Sequence, residues 1–539
     1  MSVADAPTPA PEPAAAPSRG GLLGKFATVG GATMASRVLG FAREAMIGAA
    51  LGAGPVADAF YTALALPNLF RRIFAEGAFN AAFVPLFAKE LEAGGMAAAR
   101  RFAVEVLSVL VPVLAVLSAI CMVGMPAIVF LNAPGFADDA AKFDLTVTMA
   151  RVMFPYLFAL SLVAMLSGVL NSLRRYFLAA IVPVLLNVIL VGTVGTALYL
   201  GIDDVTTGIW LAWGVFAAGF AQLLLLVWGT RAQAFRVAPG RPRLTPAVRH
   251  MLRLMGPAVL TGGVIQINLF VGQVIASLQD GARALLNYAD RLNQLPLGVI
   301  GIAIGVVLLP ELARALKANE HQTAQTLQNR SLEFALALTL PAAVAFVVVP
   351  EPLVALLYQR GEFTPATTAL TALALAAYAT GLPAYVLIKV FQPAFFARLD
   401  TRTPFRFSVV MVVVNIAGSL ALFPLLSPAG LGHVGIALAT SVSAWVNVAL
   451  LAATAWRRGD FRPDPATLRR ITVILAATIL MGLALAGTEW VLPAWLFEPD
   501  LASKLARVAA LATTGAVVFF GLALAFGGID RSMLRAVKR

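Results

Sequence analysis

Two arginines stand six residues apart inside an apolar run near the start of the chain, in Thr33-Met-Ala-Ser36-Arg37-Val-Leu-Gly40-Phe-Ala-Arg43-Glu44. At about 100° per residue, Arg43, Ser36, Gly40, Thr33, Glu44 and Arg37 fall on one helical arc of about 120°, and the opposite arc is apolar. Such a helix has one polar, sterically open face carrying two guanidiniums, as a wall of a hydrated cavity would. In the next block Asp58, Asn68, Arg72 and Glu76 share an ideal helical face of about 80°, with Arg71 pointing elsewhere. Pro67 and Gly77 interrupt that block. Asp290, Arg291 and Lys389 are also embedded in apolar sequence. Arginine's planar fork suits phosphate bidentately and is not neutralised by deprotonation, so surplus arginine facing a cavity calls for a lasting anionic partner. The competing reading is a structural salt-bridge network, Arg72 with Glu76 and Asp290 with a neighbouring cation. Arg71, near a span end, could equally snorkel to the interface.

These charges need elements that can hold them in a bilayer. Of 539 residues, 60% are apolar and 12% charged, and the mean hydropathy is +0.86. Soluble chains average about 25% charged residues, so this one belongs to the membrane class. The composition excludes a disordered scaffold, a disulfide-stapled secreted domain and an ordinary cytosolic enzyme. Cys121 is the sole cysteine, and His250, His321 and His433 lie far apart, which excludes a cysteine or histidine-rich metal centre. No P-loop, nucleophile elbow, zinc motif or catalytic triad is present. No cofactor is expected. Monovalent-ion coupling stays open, with no site assignable.

A spanning helix needs about 20 mostly apolar residues. The expected fold is an all-α integral membrane protein with fourteen transmembrane helices, near 26–50, 57–88, 103–131, 143–170, 177–200, 206–229, 252–278, 284–312, 331–358, 366–396, 405–426, 432–456, 468–490 and 503–527. Residues 1–20, rich in proline and alanine, read as a disordered cytoplasmic tail. Loops on the N-terminal side of the membrane carry 28 Lys and Arg and the opposite loops five: Lys142, Arg283, Arg360, Lys504 and Arg507. Seven more lie within spans: Arg37, Arg43, Arg71, Arg72, Arg151, Arg291 and Lys389. That asymmetry places both termini in the cytoplasm and makes the net charge of +13 an orientation device rather than a nucleic-acid footprint.

The chain also repeats itself. Pro155 and Asn187 have counterparts at Pro383 and Asn415, both offset by 228, and Val84-Pro85-Leu-Phe-Ala88-Lys89 matches Leu309-Pro310-Glu-Leu-Ala313-Arg314 at an offset of 225. Six spans separate the partners, so the halves share one orientation. The expected division is an N-terminal lobe over 21–230, a C-terminal lobe over 231–457, and two further helices with a basic cytoplasmic C-terminus over 458–539. Parallel repeats of this kind mark transporters, with the substrate site at the repeat interface. The glycines of Gly298-Val-Ile-Gly301-Ile-Ala-Ile-Gly305 have the spacing of close helix packing.

Ser36-Arg-Val-Leu-Gly-Phe-Ala-Arg43, Asp58-Ala-Phe60, Leu66-Pro-Asn-Leu-Phe-Arg-Arg-Ile-Phe-Ala-Glu-Gly-Ala-Phe79, Phe83-Val-Pro85, Tyr288-Ala-Asp-Arg-Leu292 and Lys389-Val-Phe-Gln-Pro-Ala-Phe-Phe-Ala-Arg-Leu-Asp-Thr-Arg-Thr-Pro404 closely resemble the MurJ (MviN) lipid II flippase family. The similarity runs from about residue 22 to the C-terminus. It implies fourteen spans in a V-shaped pair of lobes, within the superfamily that also holds the MATE exporters. It implies that Arg37, Arg43 and Arg291 line a cationic cavity and contact a lipid-linked pyrophosphate, and that spans thirteen and fourteen form a groove for the polyprenyl tail. Asp58 and Asn68 match positions the family associates with function, and Arg71, Arg72 and Glu76 match its second-span motif. Glu44 stands where the family commonly has Asp, and Ala284 where it often has a small hydroxyl residue, so a polar contact is lost there.

The resemblance implies a lipid II flippase of the bacterial inner membrane, working by alternating access. A negative-inside potential would favour outward anion movement by about 2.3 kcal/mol per charge per 100 mV. Expected partners are lipid II, membrane lipids and cell-wall synthesis proteins. Export of another lipid-linked glycan, MATE-like efflux, a polyprenyl-phosphate enzyme and a cell-wall scaffold are the competing readings. Cationic-drug efflux would favour an acidic cavity, an enzyme would need a catalytic carboxylate and a larger loop, and a scaffold would tolerate loss of Arg37.

Overall fold

The computed structural model describes residues 19–72 and 79–529, and the side chains of 30–72, 79–256, 266–298 and 308–529. The N-terminal tail over 1–18, Glu76 and the last ten residues lie outside the described residues. Among those described, the chain is helical throughout, without a strand.

The first half begins with α1 (Arg19–Leu51), which ends at Gly52, φ +58°. α2 (Pro55–Phe70) opens on a proline, where the missing N–H needs no partner. α3 (Asn80–Val123) is broken at Gly95, φ 64°, and is followed by α4 (Met125–Asn132). α5 (Ala140–Met153) and α6 (Pro155–Ser172) are one apolar stretch interrupted at Pro155. α7 (Tyr176–Leu200) and α8 (Asp204–Ala232) close the half. Asp203 caps α8 by accepting from the Thr206 amide at 2.9 Å.

The same succession then recurs. α9 (Pro246–Ala276), α10 (Ala282–Lys317), α11 (His321–Val348) and α12 (Pro350–Tyr358) follow. α13 (Pro365–Ala379), α14 (Leu382–Phe396), α15 (Arg402–Leu426) and α16 (Gly432–Arg457) complete it. Packing repeats with the order: α1 lies on α7 as α9 lies on α15, α7 on α8 as α15 on α16, and α6 on α8 as α14 on α16. α17 (Pro465–Val491) and α18 (Leu501–Ala525) pack on each other and on α11 and α12.

Ten helical stretches among the described residues are long and apolar enough to cross a membrane, and the chain is a multi-pass membrane protein. The other four expected spans fall on α1, on α2 with the start of α3, on α9 and on α10, each of which includes residues or side chains outside the described set. Edges moved where special residues intervene. The expected second span, 57–88, falls on α2 and on the start of α3, with residues 73–78 outside the described residues, and the helix that begins at Asn80 continues to a break at Gly95 before the expected third span.

Among the described residues, buried apolar side chains form four clusters. The largest joins α1, α2 and α5–α8 to α10, α12, α13 and α16, so the halves share a core at that end. Outward faces keep Leu224, Trp228, Ile479 and Leu483 exposed, as surfaces in lipid require.

Candidate functional site

Between the halves lies a cavity of about 890 Å³. α1 supplies Ser36, Arg37, Gly40, Phe41 and Arg43. α7 supplies Pro183, Leu186 and Asn187. α10 supplies Asn287, Asp290, Arg291, Asn293 and Gln294, among others. α9 and α13–α16 complete the wall with Asn268, Gln273, Tyr378, Tyr385, Lys389, Met411, Asn415 and Thr440, and Arg72 reaches it from beyond α2. Among the described residues, five cations face this space, Arg37, Arg43, Arg72, Arg291 and Lys389, against one lining carboxylate, Asp290.

Arg43 is built in firmly. Its Nη1 donates to Asn187 Oδ1 at 2.9 Å, and Asn187 Nδ2 donates to the Ser36 carbonyl at 2.9 Å. Its other nitrogen pairs with Glu44, which is 2% exposed. Glu44 also accepts from Tyr61 Oη at 2.7 Å and from Asn287 at 3.3 Å, and lies 3.5 Å from Arg291 Nη2. One buried carboxylate thus braces two cavity arginines, of which Arg43 is buried and Arg291 keeps 42% of its side chain exposed. Buried charges are tolerable when paired, and here only the Nε of Arg43 is left without a hydrogen-bond partner among the nitrogens of that guanidinium. Arg37 reaches across to α10. A Cβ on Gly298 would stand 2.9 Å from Arg37 Nη1, so the missing side chain there makes room for a guanidinium. Helix packing alone was the sequence reading of that glycine.

Not every expected site residue joins this cavity. Asp58 is fully buried and elsewhere. Its carboxylate accepts from Lys142 Nζ at 2.9 Å, from the Gly281 amide at 2.8 Å and from the Ala284 amide at 3.1 Å. The backbone of Ala284 therefore supplies a polar contact that its side chain lacks. Asn68 and Arg71 bond to each other at 3.1 Å and are not among the cavity residues; Arg72 is. α2 contains Pro67 and its helical winding widens at Arg71 and Arg72, so ideal 100° steps from Asp58 to Arg72 do not hold.

Two cations assigned to opposite-side loops are core groups. Lys142 also meets Asp280 at 2.8 Å. Arg283, 2% exposed, donates to Thr62 Oγ1 at 2.6 Å and to Asn132 Oδ1 at 2.9 Å. Together Asp58, Lys142, Arg283 and Asn132 tie α2, α4 and α5 to the start of α10. Missed by the sequence reading as site residues were Asn187, Asn268, Asn415 and Thr440. Asn415 donates to Asn268 at 2.8 Å, repeating on α9 and α15 what Asn187 does on α1 and α7. The offset of 228 between Asn187 and Asn415 was the available signal.

The family profile described as "Lipid II flippase MurJ" matches residues 47–499. A relative from Rhizobium meliloti (strain 1021), named "Probable lipid II flippase MurJ", is 51% identical over 96% of this chain and 96% of its own. Among solved structures, "Lipid II flippase MurJ, inward closed conformation" matches with a TM-score of 0.73 at 23% identity, over 92% of this chain and 99% of the other. An inward-facing multidrug resistance MATE transporter of the MOP superfamily matches with a TM-score of 0.62 at 17% identity, over 78% and 95%. The fold is that of the MOP transporters, and the chain, a transporter rather than an enzyme, belongs to the MurJ lipid II flippase family.

Proposed function

We propose that this protein moves lipid II, a polyprenyl-pyrophosphate-linked glycopeptide, from the cytoplasmic to the outer leaflet of the bacterial inner membrane by alternating access. The observation that carries this reading is the cavity between the halves, where, among the described residues, five cations face one lining carboxylate. Such a site replaces the hydration of a pyrophosphate with fixed guanidinium donors. Arg37, Arg43 and Arg291 hold the pyrophosphate, with Arg72 at the cavity edge. Glu44 keeps Arg43 and Arg291 in place. The polyprenyl chain stays in lipid, along α17 and α18.

Both termini are cytoplasmic in this reading, so the end of α1 near Gly52 faces outward. The bonds of Asp58, Lys142 and Arg283 then form an outer seal, and the cavity takes its load from the cytoplasm. Rocking of the halves breaks that seal and releases the head group outward. A negative-inside potential favours the step by about 2.3 kcal/mol per charge per 100 mV, and collapsing the potential should slow flipping.

The test is complementation of cells depleted of their own flippase, with wild type, Arg37→Ala, Arg43→Ala and Arg291→Ala at matched membrane abundance. Wild type restores lipid II exposure on the outer leaflet, and the variants accumulate inward-facing lipid II. Equal restoration by the variants would refute the cationic-cavity mechanism.

A further inference from the structure

The cavity has a further cation that comes from neither α1 nor α10, on α14. Lys389 and Tyr385 lie one turn apart on α14 and both line it. Lys389 is half-buried. Among the described residues its ammonium has no carboxylate within ion-pair reach, and no hydrogen bond occupies it. A lysine kept charged inside a membrane helix without a partner is costly.

The repeat shows that the fold does not require it. The offset of 228 sets Tyr385 and Lys389 against Leu157 and Ser161 on α6. There Leu157 and Ser161 line an apolar groove with Leu114 and Met251, and the Ser161 hydroxyl merely donates to its own helix at 2.8 Å. The same helix position is therefore met by an apolar solution in one half and by a phenol and an ammonium in the other, and only the second pair faces the cavity.

A group on α10, the helix that packs on α14, also lacks a partner for one of its atoms. Asn293 lines the cavity and is 3% exposed, yet its Oδ1 has no donor. Buried acceptors left unpaired are uncommon and costly. Asp290 does not answer either need: its carboxylate accepts from Gln294 and makes no ion pair with Lys389 among the described residues, and a carboxylate has no N–H to offer Asn293. A waiting cation and a waiting acceptor lining one cavity suit a ligand that offers a carboxylate together with an N–H. Pyrophosphate has no N–H, but a peptide has both.

Building on the function proposed above, we infer that Lys389, with Asn293 and Tyr385, forms a second subsite that takes a carboxylate and an adjacent amide of the peptide part of the head group, while the arginines hold the pyrophosphate. The cavity then holds the head group at two of its chemical features, the pyrophosphate and the peptide.

The test uses the purified full chain in vesicles and two substrates: the lipid-linked glycopeptide with free peptide carboxylates, and the same molecule with those carboxylates amidated. Loss of a charge-assisted contact should cost wild type about tenfold in affinity for the amidated substrate. Lys389→Met should bind the free acid about tenfold more weakly than wild type does and should no longer distinguish acid from amide. Lys389→Arg should recover part of the discrimination. Each comparison of acid with amide is internal to one variant, so differences in folded fraction cancel. Discrimination retained by Lys389→Met overturns the subsite. So does an equal loss on both substrates with discrimination intact, which would make pyrophosphate the anion met. Arg37→Ala should weaken both substrates alike. If it weakens neither, the pyrophosphate assignment fails, and the acid–amide comparison still decides the fate of Lys389.

Discussion

Arg43 donates to Asn187 at 2.9 Å, and Asn187 occupies in α7 the position that Asn415 occupies in α15. In both halves this asparagine reaches the first helix of its half: Asn187 grips Ser36 and Arg43 on α1, and Asn415 grips Asn268 on α9. Only the first half places an arginine at the junction. One position of a duplicated scaffold has thus become the support for a cavity cation, whereas its twin remains an asparagine pair.

Asn187→Leu removes that support and strands a buried guanidinium nitrogen, at a cost of about 1–3 kcal/mol. We expect a several-fold loss of lipid II affinity with the protein still folded. Asn415→Leu should leave the Arg43 contact intact and affect affinity less. Titrations of both variants at matched folded fraction check the order.

Gly298 gives Arg37 its resting place. Gly298→Leu places a branched side chain where the guanidinium lies, 2.9 Å from the position of a Cβ. The helix itself gains by losing a glycine, by about 1 kcal/mol. Thermal stability should therefore hold or rise, whereas flipping falls towards that of Arg37→Ala. A variant with wild-type flipping would show that Arg37 works from another position.

Asp58 is the hub of the bonds joining α2 and α5 to the start of α10. Asp58→Asn keeps the shape but removes the charge facing Lys142 at 2.9 Å. Breaking one partner of a buried pair costs about 3–5 kcal/mol, and here Asp280 remains to share Lys142, so the loss should fall at or below the lower figure. The reading of this junction as an outer seal expects faster labelling by an impermeant thiol reagent at Asn287→Cys in a Cys121→Ala background. Labelling at the wild-type rate would mean that the junction does not gate the cavity.

Gly281 has φ +74°, and a Cβ there would stand 2.5 Å from the carbonyl oxygen of Ala53. Its amide also donates to Asp58. Gly281→Ala adds left-handed strain of about 1–2 kcal/mol to a clash with backbone that cannot swing away. Folded yield and melting temperature should both fall, and Asn287→Cys should label faster, as with Asp58→Asn.

Much of the cavity was legible because α1 is a regular helix there. Ser36, Arg37, Gly40 and Arg43, placed on one arc by 100° steps, all line the cavity. The same arithmetic failed on α2, where Pro67 and the widened turn at Arg71 and Arg72 break the steps, and it grouped Asp58 with Arg72 although Asp58 belongs to the junction. Lys142 and Arg283 read as loop cations because burial in a short connection depends on residues far away, Asp58 and Asn132, that no local pattern announces. Asn187 and Asn415 were visible as repeat markers, but their work is done by contacts between helices about 150 residues apart in sequence.

The most direct measurement is the affinity of the purified full chain in lipid nanodiscs for lipid II, wild type against the triple variant Arg37→Ala, Arg43→Ala, Arg291→Ala. Helix content and melting are followed alongside. Loss of three charge-assisted contacts should weaken binding by at least about 100-fold with helix content retained. An affinity within about twofold of wild type, which is less than 1 kcal/mol, would contradict the assignment of these arginines to the pyrophosphate.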